Sequence, residues 1–214
     1  QTEMILRADP SSLLNVSVSL DGFREQHDRI RGRGTFERAM RTYRELARLA
    51  SRRANLVLSV TSTMSALNQH EMPRFLGWVR SHLAPVSTNV LLVRQSPRGG
   101  ESLKRVDPEL YRRAQEVAMG NLGASSPSLM GKPHVVFLRA MADRIHRTMV
   151  TGDRAFTCHA GRHGAVVDPR GQVNACEVLT EMDGAPTMGN LRRFHMDFGA
   201  LWRSERACRI RELV

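Results

Sequence analysis

The sequence predicts an α/β fold, with a parallel sheet followed by a small module of different character. Three segments with the alternating period of a strand are each followed by a segment with the three-to-four-residue period of an amphipathic helix. Strands and helices in alternation are typical of βα units and a parallel sheet. From about residue 151 the helical period stops, and all three cysteines follow, which predicts domains over residues 1–150 and 151–214.

The first two predicted strands each have one apolar face and one small or polar face. Over residues 13–20, valine and leucine alternate with asparagine and serine, and residues 56–61 repeat this pattern. A third strand is predicted over about residues 86–93. Three parallel strands are too few to close a barrel. The sheet is therefore either a small open sheet or part of a larger one whose first strands lie upstream of Gln1.

The helices are predicted from apolar stripes and from residues suited to the N-cap. Thr35 is expected to cap a helix that runs to about residue 53. Asn68 and Glu71 have the spacing of a capping box, in which two side chains satisfy the first backbone N–H groups of a helix. Another helix is expected to start at Asp107–Pro108, with Asp107 as its cap. A further helix is expected over about residues 133–150.

The second module is predicted to contain a β-hairpin. Residues 168–171 have the order Asp-Pro-Arg-Gly, which is typical of a tight turn. Cys158 precedes the hairpin and Cys176 follows it, so strand pairing is expected to bring the two thiols near each other. In a chain without a secretory leader, such a pair favours a metal or iron–sulfur site over a disulfide. The alternative is two buried free cysteines.

Other residues of this module leave the kind of site open. His159 and His163 would complete a zinc site with the two thiols, or they are ordinary surface histidines. The spacing assigns no role to Cys208. The odd count of three cysteines argues against a disulfide framework and for metal ligation or free thiols.

The charge of the chain is its strongest bulk property. Lysine and arginine number 32 against 21 acidic residues, a net charge of +11 that ordinarily indicates a nucleic acid or another anionic partner. The arginines are spread along the helical segments, and aromatic residues make up only 5%, too few for base stacking. Nucleic-acid binding is therefore not favoured. No apolar run is long enough to cross a membrane and no signal peptide is visible, so a cytoplasmic location is expected.

Polar residues after the first strand are candidates for ligand binding. Ser19 and Asp21 lie at its carboxyl end, the end that faces the ligand site in parallel α/β folds. Arg31, in a predicted loop over residues 27–34, would present its guanidinium fork to a carboxylate. The alternatives are ordinary interior packing for the serine, a strand-ending turn for Asp21 and a solvated basic loop for Arg31.

Several short strings, in order over nearly the whole chain, share a resemblance. They are Val16–Gly22, His27–Gly32, Gly34–Glu37, Val60–Thr63, Cys158–Gly161, Val167–Val173, Cys176–Glu177, Met188–Leu191 and Leu201–Ser204. The first three resemble the fourth strand and following loop of radical S-adenosylmethionine (radical SAM) enzymes. The strings from Cys158 onward resemble the start of the SPASM or twitch-type auxiliary iron–sulfur domain that some of these enzymes carry.

The resemblance implies a fold and a cofactor site. The fold is the C-terminal half of a partial (β/α)6 TIM-like barrel with parallel strands, followed by a small β-hairpin and helix domain that holds an auxiliary cluster. Ser19 and Asp21 would bind the ribose or the methionine end of SAM, and Arg31 would contact a carboxylate.

The resemblance also implies the metal ligands. Cys158 and Cys176 would be two ligands of an auxiliary [4Fe–4S] cluster, and Cys208 is a further candidate ligand. The CxxxCxxC motif of the family, and the cysteines expected after Cys208, are absent from the 214 residues. The sequence is therefore expected to be a fragment that is inactive by itself.

The implied reaction belongs to the complete enzyme. SAM would be cleaved reductively to a 5′-deoxyadenosyl radical that abstracts hydrogen from a substrate, a peptide in many relatives, with a flavodoxin or ferredoxin as electron donor. The alternative hypothesis is a small basic zinc-binding module, built on Cys158, His163 and Cys176, that contacts nucleic acid.

Overall fold

The chain folds as two compact units. A computed structural model describes residues 2–4, 12–94, 101–120, 131–153, 157–178 and 186–213. The N-terminal unit comprises Gln1–Val93 and Arg98–Ala155, and the C-terminal unit comprises Arg94–Pro97 and Phe156–Val214. Over the described ranges, none of the helices combines the length and the apolar character needed to cross a lipid bilayer.

The elements of both units follow the chain in order. The N-terminal unit contains β1 (Leu14–Ser19), α1 (Arg24–Arg31), α2 (Thr35–Ala50), β2 (Leu56–Met64), α3 (Met72–His82), β3 (Ser87–Leu92), α4 (Pro108–Met119) and α5 (Gly131–Thr151). The C-terminal unit contains β4 (Val166–Val167), β5 (Gln172–Asn174), β6 (Gly189–Asn190), α6 (Phe198–Arg203) and α7 (Glu205–Leu213). Short 3-10 helices span Glu101–Lys104 and Leu191–Phe194.

A parallel sheet in the order β1-β2-β3 forms the centre of the N-terminal unit. Its register aligns Ser17 with Ser59 and Ser19 with Thr61. Because aligned residues of neighbouring strands point to the same side of a sheet, these small polar side chains share one face. The α/β class and the three parallel strands predicted from the alternating pattern are confirmed.

The opposite face of the sheet is apolar and packs against helices. Val18, Val60 and Val90 from the strands belong to one buried core with residues of α2, α3 and α4. Phe75 and Tyr111 are among the largest side chains of this core that are fully buried. Full burial of a large apolar side chain contributes about 1.5–3 kcal/mol. The helices thus stabilise one face of the sheet and leave the polar face outside the core.

Two segments between the strands differ from the predictions. Residues 24–31 form α1, where the sequence predicts a loop. The capping box is also wrong: α3 begins at Met72 with Glu71 in the N-cap position, and no side chain caps it. Asn68 instead accepts a hydrogen bond of 2.8 Å from the backbone N–H of Ser65. Asn68 also donates to the carbonyl of Asp21, which is distant in sequence, so its side chain is engaged outside the predicted cap.

The start of α2 is capped by a residue on the preceding helix. Gly34 occupies the N-cap position with φ of +77° and provides no side chain. Asp28 of α1 accepts hydrogen bonds from the backbone N–H groups of Gly34 and Phe36, each 2.8 Å long. The prediction that Thr35 caps this helix is therefore wrong, since Thr35 is its first helical residue.

The caps and bounds of the later helices agree with the predictions. The Asp107 carboxylate accepts hydrogen bonds from the N–H groups of Glu109 (2.8 Å) and Leu110 (3.0 Å) at the start of α4. Pro108 follows as the first helical residue, where its missing N–H costs nothing. The last helix of this unit spans Gly131–Thr151, close to the predicted 133–150.

The C-terminal unit is built on a small antiparallel sheet. Strand β5 pairs with β4 on one side and with β6 on the other. In the turn between β4 and β5, the Asp168 carboxylate accepts from the N–H groups of Arg170 and Gln172, each at 2.8 Å. Gly171 completes the turn with φ of +82°. The core of this unit comprises Val173, Ala175, Met188, Leu191, Leu201, Ala207 and Ile210.

Gly161 joins the segment that follows Cys158 to the segment that precedes Cys176. It has φ of +70°, its N–H donates to the carbonyl of Ala175 at 3.1 Å, and a Cβ there would lie 3.0 Å from the Ala175 Cβ. We expect Gly161→Ala to lower the free energy of unfolding of this unit by about 2 kcal/mol, from backbone strain and overpacking. Denaturant unfolding followed by Trp202 fluorescence in a Trp78→Phe background measures this loss.

Gly164→Ala is the matched control for that substitution. A Cβ at Gly164 meets nothing within 4 Å, and its φ lies outside the left-handed region. We therefore expect a change within about 0.5 kcal/mol. Equal losses for the two variants would contradict the close packing at Gly161.

Candidate cofactor and cluster sites

The first candidate site lies after the carboxyl end of β1 and centres on Asp21, whose side chain is only 2% exposed. Its Oδ1 accepts from the N–H of Thr63 (2.8 Å), and its Oδ2 accepts from Nε of Arg31 (2.5 Å). Its backbone N–H donates to Nδ1 of His27 (3.1 Å), and its carbonyl accepts from Nδ2 of Asn68 (2.7 Å). All four polar groups of Asp21 are thus engaged within the chain.

Through these contacts two of the predicted cofactor residues, Asp21 and Arg31, link neighbouring elements of the fold. Asp21 ties the end of β1 to the end of β2 through Thr63 and to α1 through Arg31. Asn68 adds a second tie, because its Nδ2 also donates to the Thr63 carbonyl at 2.9 Å. Arg31 is 38% exposed and uses Nε for this pair. A SAM-binding role for Asp21 and Arg31 stays a prediction, whereas the contacts by which they link β1, β2 and α1 are present in the fold.

Ser19 lies on the polar face of the sheet, half-buried and aligned with Thr61. On the same face, the hydroxyls of Ser17 and Thr61 lie 2.7 Å apart, and Ser59 donates to Asn15 Oδ1 at 3.0 Å. Hydroxyl and amide groups both donate and accept hydrogen bonds. This face is therefore chemically suited to the hydroxyls of a ribose or the polar end of an amino acid.

His27 is a buried site residue that sequence reasoning did not single out. Its Nδ1 accepts the Asp21 N–H, so the ring is neutral with its proton on Nε2. Burial lowers the pKa of His27 from 6.5; the neighbouring carboxylate of Asp21 opposes this effect, and Arg31 adds to it. The ring also meets Phe36 edge to face, with centroids 5.7 Å apart.

Asp28 is the second residue of α1 that the sequence analysis did not assign. The backbone N–H groups of Phe36 and Gly34 hold its charged form, and the pKa of Asp28 is accordingly lowered. His27 and Asp28 begin the string His27–Gly32, one of the strings that resemble radical SAM enzymes. That string is the signal that could have revealed both residues. On α1, His27 contacts Asp21 after β1, and Asp28 contacts the start of α2.

The buried His27 predicts a pH dependence of stability. Because its folded-state pKa is lowered, the unfolded chain binds more protons below about pH 6.5, and stability falls as the pH drops through that value. The limiting slope for one group is about 1.4 kcal/mol per pH unit. His27→Asn retains an acceptor for the Asp21 N–H without the titration, so we expect a shallower slope between about pH 7.5 and about pH 5. Equal slopes in denaturant unfolding of both proteins would contradict this assignment.

The second candidate site is the cysteine region of the C-terminal unit. All three thiols are free; Cys158 and Cys208 are exposed, and Cys176 is half-buried. The Cys176 sulfur accepts the backbone N–H of Val178 at 3.4 Å. The chain near Cys158 meets the chain near Cys176 where the Gly161 N–H donates to the Ala175 carbonyl. A free thiol with an N–H···S hydrogen bond suits an iron–sulfur cluster, so Cys176 fits the implied group, and Cys158 fits it as a free, exposed thiol.

The donor set does not assemble a site for a single metal ion. Within the part of the chain that the structure describes, no three His, Cys, Asp or Glu side chains lie close enough to hold one. This includes Cys158, His163 and Cys176, the trio of the zinc hypothesis. The rings of His159 and His163 lie near each other in a tilted arrangement, with centroids 4.9 Å apart. Cluster ligands bind separate iron atoms, so they need not converge on one point.

Comparison with known proteins identifies the C-terminal unit. Residues 158–213 match the SPASM family, described as an iron-sulfur cluster-binding domain. Among solved structures, the chain is similar to anSMEcpe, a radical SAM enzyme of the SPASM type, in a histidine-tagged form with bound AdoMet. The SPASM part of the resemblance is thereby confirmed for residues 158–213, and the likeness to anSMEcpe agrees with the radical SAM part at the level of the fold. No curated protein is detectably similar in sequence.

The structural likeness to anSMEcpe extends over both units. For the tagged form with AdoMet the TM-score is 0.55 at 15% identity, and the match covers 92% of this chain and 50% of the other. For the form with AdoMet and the Kp18Cys peptide, the TM-score is 0.53 at 14% identity, covering 92% of this chain and 52% of the other. The chain thus spans about half the length of these structures. At such identities the likeness establishes the fold.

Proposed function

We propose that this chain supplies part of the SAM-binding barrel and the auxiliary-cluster domain of a radical SAM enzyme. The observation that carries the proposal is the SPASM match over residues 158–213, which includes all three cysteines. The α/β unit that precedes it has the fold of an enzyme whose structures hold AdoMet. The proposed domains are residues 1–150 and 151–214, as predicted from the sequence.

In the N-terminal unit, we assign SAM to the polar face of the sheet. The three parallel strands would form the C-terminal half of a partial (β/α)6 barrel, with this face toward the interior. Ser19 would contact the ribose or methionine end of SAM beside Ser17 and Thr61, whose hydroxyls lie 2.7 Å apart. Asp21 and Arg31 would hold the strand ends that shape this site, through their 2.5 Å ion pair.

In the C-terminal unit, Cys158 and Cys176 would hold an auxiliary [4Fe–4S] cluster, with Cys208 as a further ligand. Such a cluster supplies one-electron transfer or a substrate contact, while SAM supplies the radical that abstracts hydrogen. The chain's own contribution is to orient the Cys176 thiolate through the Val178 N–H. The 214 residues contain no CxxxCxxC motif, so in this proposal the cluster that cleaves SAM would be held by residues outside them.

For the substrate, a peptide is the class that the comparisons favour. Two of the similar structures hold the Kp18Cys and Cp18Cys peptides together with AdoMet. We extend this class to the present chain as a proposal, with a flavodoxin or ferredoxin as electron donor. A peptide substrate also agrees with the weak case for nucleic acid made by the 5% aromatic content.

Metal reconstitution separates the proposed function from the zinc hypothesis. The purified chain is incubated anaerobically with iron and sulfide, and separately with zinc, and bound metal is then counted. The proposal predicts a brown protein that contains iron and acid-labile sulfide in equal amounts. A colourless protein that retains zinc and no sulfide would overturn it in favour of the zinc module.

A further inference from the structure

Arg211 makes an unusual set of contacts beside Cys208. Its Nη2 donates to the Cys208 sulfur at 3.1 Å and to the Trp202 carbonyl at 2.9 Å. The guanidinium carbon lies 4.9 Å from the centre of the Trp202 ring, in a cation–π contact. Both hydrogens of Nη2 are therefore used, and the guanidinium is held against the indole.

The other terminal nitrogen of Arg211 has no acceptor. Nη1 is buried, and it makes no hydrogen bond among the residues that the structure describes. A buried donor of a charged group without an acceptor is destabilising, which is why such groups are rare in folded proteins. Nη1 is thus enclosed by protein atoms, and Nη2 is the terminal nitrogen that contacts the cysteine.

The Arg211 side chain contacts the place where the segment after Cys158 meets the segment before Cys176, at Gly161 and Ala175. A Cβ on Gly161 would lie 3.6 Å from Arg211 Cγ and 3.0 Å from Ala175 Cβ. Arg162 also donates to the Arg211 carbonyl at 3.3 Å. The guanidinium thus belongs to the same contact network as the segments that carry Cys158 and Cys176.

We propose that Arg211 is a positioning residue for the auxiliary cluster. It would hold the Cys208 thiolate through Nη2 and keep its positive charge beside that cluster ligand, and would so raise the reduction potential of the cluster. This inference rests on the proposed function, because it takes the auxiliary cluster as given. No other group in the described C-terminal unit combines a fixed positive charge, a contact to a cysteine sulfur and an unused buried donor.

The direction of the effect follows from charge. Reduction adds one negative charge to the cluster, and a guanidinium that donates to the sulfur of a ligand cysteine stabilises the reduced form more than the oxidised form. Loss of this donor should shift the ratio of reduced to oxidised cluster by about tenfold at a fixed potential, equal to about 59 mV for one electron.

The test is a redox titration of the reconstituted chain, read by the EPR signal of the reduced cluster. Arg211→Met removes the donors and keeps the aliphatic stem against Gly161, while Arg211→Lys retains the charge and loses the planar fork. Arg209→Ala is the matched control, because it removes the same charge two residues away on α7. The Arg209 side chain is 69% exposed and forms an ion pair with Glu205.

The expected order of potentials is wild type and Arg209→Ala highest, Arg211→Lys intermediate and Arg211→Met lowest. Equal potentials for Arg211→Met and Arg209→Ala would overturn the inference and leave the proposed function standing. A wild-type chain that takes up no iron and sulfide would overturn both. If Arg211→Met does not fold, a potential of Arg211→Lys equal to that of the wild type decides against the inference.

Discussion

Replacing Asp21 with alanine is expected to lower the free energy of unfolding of the N-terminal unit by about 3 kcal/mol, measured by denaturant unfolding. The substitution leaves the part-buried N–H of Thr63 without its 2.8 Å acceptor and removes the partner of Arg31. The loss arises from unsatisfied groups at the junction of β1, β2 and α1. It is therefore larger than the loss of a surface ion pair, about 0–1 kcal/mol.

Two variants separate the parts of this effect. Asp21→Asn keeps an oxygen for the Thr63 N–H and loses the charge, so an intermediate loss is expected. Arg31→Ala removes the ion pair but leaves the Thr63 contact of Asp21 in place, so we expect a smaller loss than for Asp21→Ala. A loss for Asp21→Ala no greater than that for Arg31→Ala would show that the Thr63 contact contributes nothing.

Replacing Cys176 with alanine is expected to reduce the iron bound after anaerobic reconstitution to background, and Cys158→Ala should do the same. Even changes in the groups that orient metal ligands cost about 10–100-fold in metal affinity, and removal of a thiolate ligand should cost more. Iron is counted per folded chain, with circular dichroism as the check that the C-terminal unit is intact.

His163→Ala is the informative control for the cysteine variants. The zinc hypothesis requires this side chain, whereas the cluster proposal does not use it. We expect His163→Ala to bind as much iron as the wild type. Unchanged iron in Cys158→Ala or Cys176→Ala would remove that residue from the ligands.

The sheet could be predicted because its signal is local. The alternation of apolar and small polar residues over residues 13–20 and 56–61 is a property of each strand alone, and the two strands are found at Leu14–Ser19 and Leu56–Met64. The same alternation indicated a polar face, and the aligned serines and threonine bear this out.

Helix α1 escaped prediction because its stabilising contacts come from other elements. The segment Arg24–Arg31 is almost entirely polar, and His27 is its one buried residue. Its position is fixed by the His27 contact to Asp21 and by the Asp28 cap on α2, neither of which shows as a periodic pattern. The capping box predicted for Asn68 failed for the same reason, since the partners of Asn68 include Asp21, which is distant in sequence.

The candidate sites were predictable to different depths. The sequence places Cys158 and Cys176 on either side of one hairpin, and the resemblance supplies their proposed role. The contact between Arg211 and Cys208 is also local, three residues apart on α7. The unused donor of Arg211 could not be predicted, because its burial depends on packing with Trp202 and Gly161 from other parts of the sequence.

Simultaneous counting of iron and acid-labile sulfide in the anaerobically reconstituted chain tests the central claim most directly. A [4Fe–4S] cluster requires about four of each per cluster, together with a reduced state visible by EPR. We predict one such cluster per chain, lost when Cys176 is replaced. A chain that folds and binds neither iron nor sulfide would contradict the assignment of the cysteine region as a cluster site.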